Sequence, residues 1–447
     1  MPKKRTSSNI DDYFGMAEKK RKHVKQPIPI MNEKTFGWLD IGTKNKANIP
    51  QLLVYEDVRV AKGVLSNFAC FDIDWTIIAT KSGKTFSQSA NDYKWLFDET
   101  IMLSKFESLH NNGFGIVLFT NQGGVEKGKT PVSMIKNKVE GIVSAIGVPV
   151  LAFVATGESH YRKPSIGMFD YLKEVYSHKE NGARLCYGLR FDKYITYGAC
   201  FEGLVISLVD SFYVGDGAGR LPNWKPGKKK DFSCSDRKFA LNCGLKFLTP
   251  EEFFLNEGPT NAFELNGFDP VAFLNKRLVE NESFEHARQE QEIVVLVGLP
   301  ASGKSSFAKR FFTPFGYEYI NKDTQGSAAR CLKMSQEALD QGKSLIIDNT
   351  HPSKMCRADA VRLAKKYKIP VRCFWIKTDL ELTKHLNYCR QNATKGRQRR
   401  IPDVAYHAFN KKFETPSVSE GFEKVILCDF IPKFDDESHK RIFLQWT

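Results

Sequence analysis

Short apolar segments alternate with polar stretches of helical length along most of the chain. From about residue 53 the segments LLVY, VLSNFACFDID, FGIVLFTN and VPVLAFVAT follow one another, each rich in β-branched or aromatic residues. A second series begins with EIVVLVG at 292–298 and continues with YEYIN, SLIIDN, VRCFWI and KVILCDF. Such alternation is typical of strands connected by helices in a mostly parallel sheet. The pattern therefore predicts an α/β protein with two doubly wound domains.

Four regions follow from where this alternation starts and stops. Residues 1–47 are rich in Lys, Ser, Asn and Pro without sustained periodicity, so we expect a disordered basic tail. The first domain is predicted at 48–262, closing with the helix signal TPEEFF. Residues 263–289 are polar without a strand pattern and are predicted to be a linker, and 290–447 form the second domain. Each domain is long enough to bury its own core.

The charge distribution adds a preference for the kind of partner. The chain has 447 residues, 42% of them hydrophobic, and a net charge of +15, which excludes a wholly disordered or collagen-like protein. Nearly all of the positive excess lies in the first 25 residues and in 290–447, whereas acidic and basic residues almost balance between them. Clustered positive charge favours a polyanionic partner. No apolar run reaches the roughly 18 residues of a membrane span, so no membrane association is expected.

Two aspartates follow a first-domain strand in the segment ACFDIDWTI. Asp72 and Asp74 share a face of the strand, and ligand sites of parallel sheets lie at the carboxyl ends of strands. Neighbouring carboxylates are tolerated around a cation or when one of them is protonated. One carboxylate can attack phosphorus, and the other can protonate the departing alkoxide and then activate water. The pair therefore indicates phosphoryl transfer.

Three further strand ends and loops add residues suited to that chemistry. Thr120 and Asn121 end FGIVLFTN and supply a hydroxyl and an amide able to hold phosphate oxygens. The segment YRKP supplies Lys163, a point charge for a phosphoryl group or a carboxylate. SFYVGDGAGR ends a strand with Asp216, a third acidic group at the sheet edge.

This ordered set resembles the haloacid dehalogenase phosphatase superfamily. The resemblance implies that Asp72 is the nucleophile, that Asp74 is the general acid and base, and that Thr120 and Lys163 hold the phosphate. The Mg²⁺ ligands that it implies are carboxylates, namely Asp72, Asp74 and Asp216. One departure is Trp75, where the superfamily usually has glycine, and a bulky residue there could alter the loop or block part of the entrance.

The second series of strands opens with a phosphate-binding motif. EIVVLVGLPASGKSS contains G-x-x-x-x-G-K-S between a predicted strand and a predicted helix, which is the context of a P-loop. The glycines let backbone N–H groups turn toward phosphate, and the helix presents its positive end to the anion. Lys304 is predicted to reach the β- and γ-phosphates of ATP, and Ser305 to ligate Mg²⁺. The predicted ATP-binding residues of the loop are Gly298, Leu299, Pro300, Ala301, Ser302, Gly303, Lys304 and Ser305.

Acidic and basic residues downstream complete the pattern of a kinase. Asp323 follows the strand of YEYINKDT and is predicted to take a proton from an incoming hydroxyl. Asp348 ends the strand of SLIIDNTHP, where a second magnesium-ligating acid is expected. The run at 388–402 carries Arg390 and Arg397 in a glycine-containing stretch, which predicts an ATP-binding lid that closes over phosphates. A solvated basic loop is the alternative for any single arginine of this run.

Longer strings are similar to the animal polynucleotide kinase 3′-phosphatase family. They include VGDGAGR, KKKDFSCSDRKFALN, IDNTHP and KKFETPSVSEGFEKV, and the resemblance covers roughly residues 49–432. It implies a DNA-repair enzyme that removes 3′-phosphates from DNA ends and phosphorylates 5′-hydroxyls with ATP and Mg²⁺. Two alternatives stay open, a small-molecule phosphatase fused to a small-molecule kinase and a non-catalytic scaffold that binds DNA ends.

The tail contains a candidate recruitment motif. Residues 7–14, SSNIDDYF, resemble the clamp-binding peptide of replication and repair proteins, with Ser7 at the usual glutamine position. One helical turn would place Ile10, Tyr13 and Phe14 on one face for a groove of a DNA sliding clamp. Sparse apolar residues in a plain tail are the alternative interpretation.

Two further expectations concern localisation and domain content. The basic run KKRK predicts nuclear import. Fewer than 50 residues precede the first apolar run, too few for the forkhead-associated domain of vertebrate members, so recruitment is expected to differ. Residues 178–208 look like an insertion that is ordered, because they contain aromatic and apolar runs. We expect the protein to be a monomer.

Overall fold

The computed structural model describes residues 36–60, 62, 65–177, 188–191, 194–197, 210–276 and 286–447. The motif predicted at 7–14 and the basic run after it lie outside these residues. Of the predicted insertion, the described part is one antiparallel pair, in which Gly188–Phe191 runs against Tyr194–Tyr197.

A seven-stranded sheet forms the centre of the first unit. The strands of this unit are β1 Phe36–Lys44, β2 Pro50–Asp57, β3 Phe68–Phe71, β4 Ile78–Ala79, β5 Lys94–Trp95, β6 Gly115–Asn121, β7 Val150–Ala155, β8 Gly188–Phe191, β9 Tyr194–Tyr197, β10 Phe212–Val214 and β11 Lys246–Leu248. The order in the sheet is β1-β2-β7-β6-β3-β10-β11. Strands β7, β6, β3, β10 and β11, which are neighbours in this order, are parallel to one another. Strands β1 and β2 form an antiparallel edge. Helices cover both faces, namely α1 Glu99–Asn111, α2 Val132–Ile146, α3 Gly167–Tyr176, α4 Ser235–Cys243 and α5 Pro250–Phe254.

The predicted tail is too long at its carboxyl end, because residues 36–44 form β1. Phe36 and Trp38 pack on Tyr55 with ring centroids 5.1 and 5.5 Å away, and Trp38 Nε1 donates to Glu140 Oε1 at 2.7 Å. Two glycines and several polar residues interrupt this strand, which conceals it in the sequence. Pairing with β2 at the sheet edge supplies the backbone hydrogen bonds that make it ordered.

The second unit contains a fully parallel five-stranded sheet. Its strands are β12 Ile293–Val297, β13 Glu318–Ile320, β14 Leu345–Asp348, β15 Val371–Lys377 and β16 Lys424–Asp429. Their order is β13-β14-β12-β15-β16. The helices are α6 Pro270–Lys276, α7 Lys304–Phe311, α8 Lys322–Gln325, α9 Ala328–Asp340, α10 Lys354–Tyr367, α11 Leu380–Ala393, α12 Asp403–Lys412 and α13 Glu437–Phe443. The two alternating series of the sequence thus correspond to two α/β sheets, which confirms the predicted fold class.

Strand burial explains why the sequence reads as uninterrupted apolar runs. All residues of β3, β7 and β12 are buried, because helices cover both faces of each sheet. The helix predicted from TPEEFF begins with a capping box, in which Thr249 accepts from Glu252 N and the Glu252 carboxylate accepts from Thr249 N. No helix among the described residues has the length and apolar character to cross a bilayer.

The segment predicted as linker is packed in its described part. Phe268 and Phe273 lie 6.1 and 6.2 Å from the ring of Phe443, and Phe268 also lies 4.5 Å from the ring of His385. Phe273 belongs to helix α6, Pro270–Lys276, whereas Phe268 precedes it. Residues 263–276 are therefore part of the folded structure rather than a free connection, since their aromatic side chains find partners in the second unit.

Candidate active sites

The buried ammonium group of Lys163 organises the site at the carboxyl end of the first sheet. Its Nζ donates to Asp72 Oδ1 at 2.5 Å, to Asp236 Oδ1 at 2.7 Å, to the Tyr213 hydroxyl at 2.8 Å and to Phe119 O at 2.9 Å. The residue is only 4% exposed. Although burial opposes the charged form, the carboxylates of Asp236 and Asp72 raise the pKa of Lys163 above its ordinary value. The ammonium charge is therefore retained in a dry site.

Three carboxylates face one another around this lysine. Asp72, Asp216 and Asp236 each offer an oxygen, and these oxygens all lie within 4.8 Å of one another. Burial raises the pKa of Asp72 to about 7 and raises the pKa of Asp216 well above its usual range, and neighbouring carboxylates add to both effects. A cation would relieve this repulsion, and clustered carboxylate oxygens are the ligands that Mg²⁺ prefers. The donor set therefore fits Mg²⁺.

The Asp74 carboxylate, which is also predicted to ligate Mg²⁺, lies outside this cluster and contacts Lys138 and Gln122. Lys138 Nζ donates to Asp74 Oδ1 at 2.6 Å, and Gln122 Nε2 donates to Asp74 Oδ2 at 2.7 Å. Gln122 also donates to Thr120 Oγ1 at 2.9 Å. Asp236, which sequence reasoning missed, takes the place of Asp74 as the third clustered carboxylate. Asp74 is held beside the cluster as a separate carboxylate with a cation of its own.

Lys138 is a second residue that sequence reasoning missed. It lies on α2 and is 4% exposed, and its Nζ also donates to Ser87 Oγ at 2.9 Å. The spacing of apolar residues could have revealed it. Lys138 follows Ile135 by three residues and precedes Ile142 by four, so it lies on the apolar face of the helix. A lysine on a buried face needs an anionic partner, and Asp74 provides it.

Thr120 and Asn121 serve different ends. Thr120 is buried beside Gln122 at the end of β6, in the position predicted for a phosphate-binding hydroxyl. The Asn121 amide is committed to the backbone of Lys163, accepting from its N at 3.0 Å and donating to its O at 3.2 Å. Both polar atoms of the Asn121 side chain therefore fix the segment that carries Lys163, and its predicted contact with phosphate stays a prediction.

Trp75 occupies a position whose backbone explains the usual glycine. Its φ is +62°, in the left-handed region that a residue with a Cβ adopts at a cost. Backbone pairing compensates, since Trp75 N donates to Ile78 O at 2.7 Å and Trp75 Nε1 donates to Thr85 O at 3.2 Å. The next residue, Thr76, is fully buried and its Oγ1 accepts from Asp216 N at 3.0 Å. The loop thus keeps the strand-end geometry despite the large side chain.

The second site surrounds the loop between β12 and α7. Gly298 and Gly303 have φ of +155° and +92°, and a Cβ on Gly298 would lie 2.7 Å from Ile376 O, so a side chain does not fit there. Lys304 Nζ donates to Gly298 O at 3.0 Å and to Leu299 O at 2.6 Å. Burial lowers the pKa of Lys304 to about 8. Its ammonium is folded back onto the loop that it is predicted to serve.

Ser305 and Asp348, which are both predicted to ligate Mg²⁺, lie in direct contact. Ser305 Oγ donates to Asp348 Oδ2 at 2.5 Å, and the Tyr319 hydroxyl donates to the same oxygen at 2.5 Å. Asn321 Nδ2 donates to Asp348 O at 2.8 Å, which ties the end of β13 to the end of β14. A hydroxyl and a carboxylate side by side at the start of a P-loop helix are oxygen ligands suited to Mg²⁺.

A groove of about 1930 Å³ extends over this loop. Lys304, Asp323 and Arg390 all line it, with Asp323 exposed on the short helix α8. Arg390 Nη2 donates to Arg399 O at 3.1 Å. Arg397 is exposed and does not line the groove, and its Nε donates to Thr394 O at 3.3 Å within its own loop. The structure thus brings Arg390 to the predicted ATP site, whereas Arg397 lies outside it.

Comparison with known proteins assigns the two units. A family model described as polynucleotide kinase 3 phosphatase matches residues 67–187 and 194–254, and one described as AAA domain matches 293–416. The bifunctional polynucleotide phosphatase/kinase of Schizosaccharomyces pombe is 34% identical over 361 residues, covering 80% of this chain and 78% of its own length. The chain belongs to the bifunctional polynucleotide phosphatase/kinase family.

Other relatives match the whole chain or its first unit. A protein of Acanthamoeba polyphaga mimivirus, to which the same pair of activities is assigned provisionally, is 31% identical over 442 residues, covering 93% of this chain and 96% of its own length. A polynucleotide 3′-phosphatase of Arabidopsis thaliana is 30% identical over 201 residues, covering 42% of this chain and 24% of its own length. The first unit is therefore the phosphatase domain, and the second, with its P-loop, is the kinase domain.

Proposed function

We propose that this chain removes 3′-phosphates from DNA ends and, with ATP, phosphorylates 5′-hydroxyl ends, so that broken strands regain ligatable termini. The observation that carries the proposal is the presence in one chain of two clusters of side chains suited to phosphoryl transfer. The first combines Asp72, Lys163 and a separate acid, Asp74, and the second combines a P-loop lysine with the Ser305–Asp348 pair.

In the phosphatase site Asp72 is the nucleophile. Its carboxylate oxygen forms a bond to phosphorus while the bond from phosphorus to the 3′-oxygen breaks, and Asp74 gives its proton to the departing oxygen. The ionised Asp74 then takes a proton from water, whose oxygen attacks phosphorus and releases Asp72 and inorganic phosphate. Lys163 holds Asp72 in place and neutralises phosphate charge. Asp72, Asp216 and Asp236 would hold Mg²⁺, which supplies further charge neutralisation when bound.

In the kinase site Asp323 is the general base. It takes the proton of the 5′-hydroxyl as that oxygen bonds to the γ-phosphorus of ATP, and the bond between this phosphorus and ADP breaks. Lys304 leaves its loop carbonyls to contact the phosphates, and Arg390 reaches them from the other wall of the groove. Ser305 and Asp348 would hold Mg²⁺, which offsets the negative charge of ATP when bound.

Exposed aromatic side chains beside the phosphatase site favour a polynucleotide over a small phosphate ester. Phe232 is 92% exposed and Phe86 is 72% exposed. Phe86 precedes Ser87, which contacts Lys138, and Phe232 precedes Ser233, whose carbonyl accepts from Gly219 N beyond Asp216. Lysines at 228–230 add positive charge to the same loop. Aromatic faces and lysines together are how proteins hold single-stranded nucleic acid.

A nicked duplex with a 3′-phosphate and a 5′-hydroxyl tests the proposal. Without ATP the protein should release inorganic phosphate and leave the 5′ end unchanged. With ATP it should also phosphorylate the 5′ end, and a DNA ligase should then seal the nick. Chelation of divalent cations should stop both reactions. Release of phosphate from sugar phosphates but not from the nick would support the small-molecule alternative, and binding without either reaction would support a scaffold.

We also propose that the basic run at 19–22 directs the protein to the nucleus and that it acts as a monomer. A third proposal is that residues 7–14 recruit the protein to a DNA sliding clamp. The spacing of Ile10, Tyr13 and Phe14 supports the clamp contact. Binding restricts the conformations open to a short peptide, which costs free energy, so the affinity should be about micromolar. Calorimetry of a peptide spanning 1–25 against the clamp, with a known clamp peptide as positive control, tests the contact. Absence of heat at high micromolar clamp would contradict it.

A further inference from the structure

The segment that carries the catalytic lysine of the phosphatase lies directly against the kinase domain. This catalytic-lysine segment, residues 157–166, contacts helix α11 at Gln391. The Gln391 side chain is 1% exposed, and its Nε2 donates to Glu158 O at 3.2 Å. Its Oε1 accepts from Arg400 Nε at 2.8 Å. One buried amide therefore connects the phosphatase backbone to the arginine loop of the kinase, residues 394–401.

Two further contacts extend this boundary. Ser165 is fully buried, and its Oγ donates to Asn392 Oδ1 at 3.3 Å. At Gly396, with φ of +77°, a Cβ would lie 2.6 Å from His160 Nδ1, so the arginine loop touches the segment without space for a methyl group. The contact between the domains therefore runs along both α11 and the loop that follows it.

The opposite side of α11 lines the ATP groove. Leu386, Cys389, Arg390 and Ala393 contribute to the groove wall, so the helix lies between the phosphatase segment and the nucleotide. Arg390 is adjacent to Gln391 in sequence, and its Nη2 donates to Arg399 O, next to Arg400. A helix moves as a rigid element, so what fixes Gln391 also fixes Arg390.

We propose that the catalytic-lysine segment of the phosphatase sets the position of α11 and the arginine loop, with Gln391 as the positioning residue for the kinase reaction. The inference rests on the proposed kinase function. Gln391 does not line the groove itself. Its loss displaces the groove wall that carries Arg390, which weakens stabilisation of the transferring phosphoryl group while the P-loop still binds ATP. The kinase is thus assembled partly on the phosphatase domain.

The principal test replaces Gln391 in the full-length protein. Gln391→Leu keeps a similar volume and removes both hydrogen bonds. We expect the kinase kcat to fall about tenfold with KM for ATP changed less than threefold, and the phosphatase kcat to stay within about twofold. Gln341→Leu is the matched control, because Gln341 is an exposed glutamine of the kinase domain that does not line the groove, and its substitution should leave both activities unchanged. An unchanged kinase kcat in Gln391→Leu would overturn the proposal, as would an equal loss of both activities.

A double-mutant cycle gives a second test that does not depend on the stability of that variant. Gly396→Ala should lower the kinase kcat through local backbone strain and through its clash with His160. His160→Ala removes the clash. The kinase kcat of the double variant should therefore be at least about threefold higher than that of Gly396→Ala alone. Independent, multiplicative effects of the two changes would contradict the proposal. A wild-type protein without kinase activity would instead refute the proposed function itself.

Discussion

The phosphatase and kinase sites differ in how completely their side chains are arranged around one another. In the phosphatase site the ammonium of Lys163 is buried and contacts two carboxylates, a phenol and a backbone carbonyl. In the kinase site Lys304 contacts carbonyls of its own loop, Asp323 is exposed, and Arg397 lies outside the groove. The side chains of the phosphatase site are already in mutual contact, whereas in the proposed kinase reaction Lys304 must exchange its loop carbonyls for contacts with ATP.

The chemistry accounts for this difference. A carboxylate nucleophile must be aligned with phosphorus within a few tenths of an ångström, so a fixed and dry pocket favours covalent catalysis. Transfer from ATP requires a large anion to enter and a large anion to leave, and lids that open and close suit this cycle. A preassembled site and a site completed by its substrates should therefore respond differently to substitution of their side chains.

The largest effect is expected at the phosphatase nucleophile. Asp72→Asn removes the attacking carboxylate but keeps the shape of the pocket, so 3′-phosphatase activity should fall by at least about 10⁴-fold. The kinase rate on a 5′-hydroxyl oligonucleotide should remain near the wild-type rate. Rapid-quench measurement of phosphate release gives the first number and radiolabel transfer the second. Phosphate release within tenfold of wild type would show that another group attacks phosphorus.

The corresponding substitution in the kinase site removes the P-loop lysine. Lys304→Ala should lower kinase activity by about 10³-fold, because the lysine contacts the donor phosphates and stabilises their charge in the transition state. The phosphatase rate on a 3′-phosphate oligonucleotide should be unaffected. A parallel decline of both activities, with an unchanged melting temperature, would contradict the assignment of separate sites.

Substitution of the exposed Asp323 separates proton transfer from the acceptor hydroxyl from binding of ATP. Asp323→Asn cannot accept the proton of the 5′-hydroxyl, so transfer should fall by about 10²- to 10³-fold. ATP affinity, measured by titration calorimetry, should stay within about threefold of wild type, because a general base acts on the acceptor hydroxyl and not on the nucleotide. Loss of ATP binding would argue that Asp323 holds the nucleotide rather than acting as a base.

A smaller effect is expected at the lysine that holds the general acid. Lys138→Met removes the cation from Asp74 and should lower phosphatase activity by about 10- to 100-fold, because the carboxylate loses its orientation and its charge partner. Lys136→Met is the matched control on the same helix, where Lys136 lies over the Trp38 ring. Equal effects of the two changes would exclude a specific role for Lys138.

The smallest effect concerns the exposed aromatic at the rim of the phosphatase site. Phe232→Ala should raise KM for a single-stranded 3′-phosphate oligonucleotide about fivefold, because it removes one stacking surface for a base. Hydrolysis of p-nitrophenyl phosphate, which has no neighbouring bases, should change less than twofold. An identical change for both substrates would indicate that Phe232 shapes the catalytic pocket instead of holding nucleic acid.

The alternation of short apolar runs predicted both sheets correctly because buried parallel strands require continuous apolar sequence. It failed at Phe36–Lys44, an edge strand whose glycines and polar residues carry no such signal, and at Phe268 and Phe273, whose partners come from the second unit. Edge pairing and interdomain packing are properties of the assembled chain. A local pattern cannot express them, because the residues that complete the contact are distant in sequence.

The sequence by itself determined the chemistry of each site wherever the necessary residues are contiguous. The P-loop is the clearest case, since its glycines, Lys304 and Ser305 act through the local path of a few peptide groups. Tertiary structure alone decided that Asp236, 73 residues from Lys163, joins the carboxylate cluster, and that Lys138, 64 residues from Asp74, holds the general acid. It also decided that both polar atoms of the Asn121 side chain contact the backbone of Lys163. Charge, hydrogen bonding and desolvation act through space, so their outcome is fixed only when folding brings the partners together.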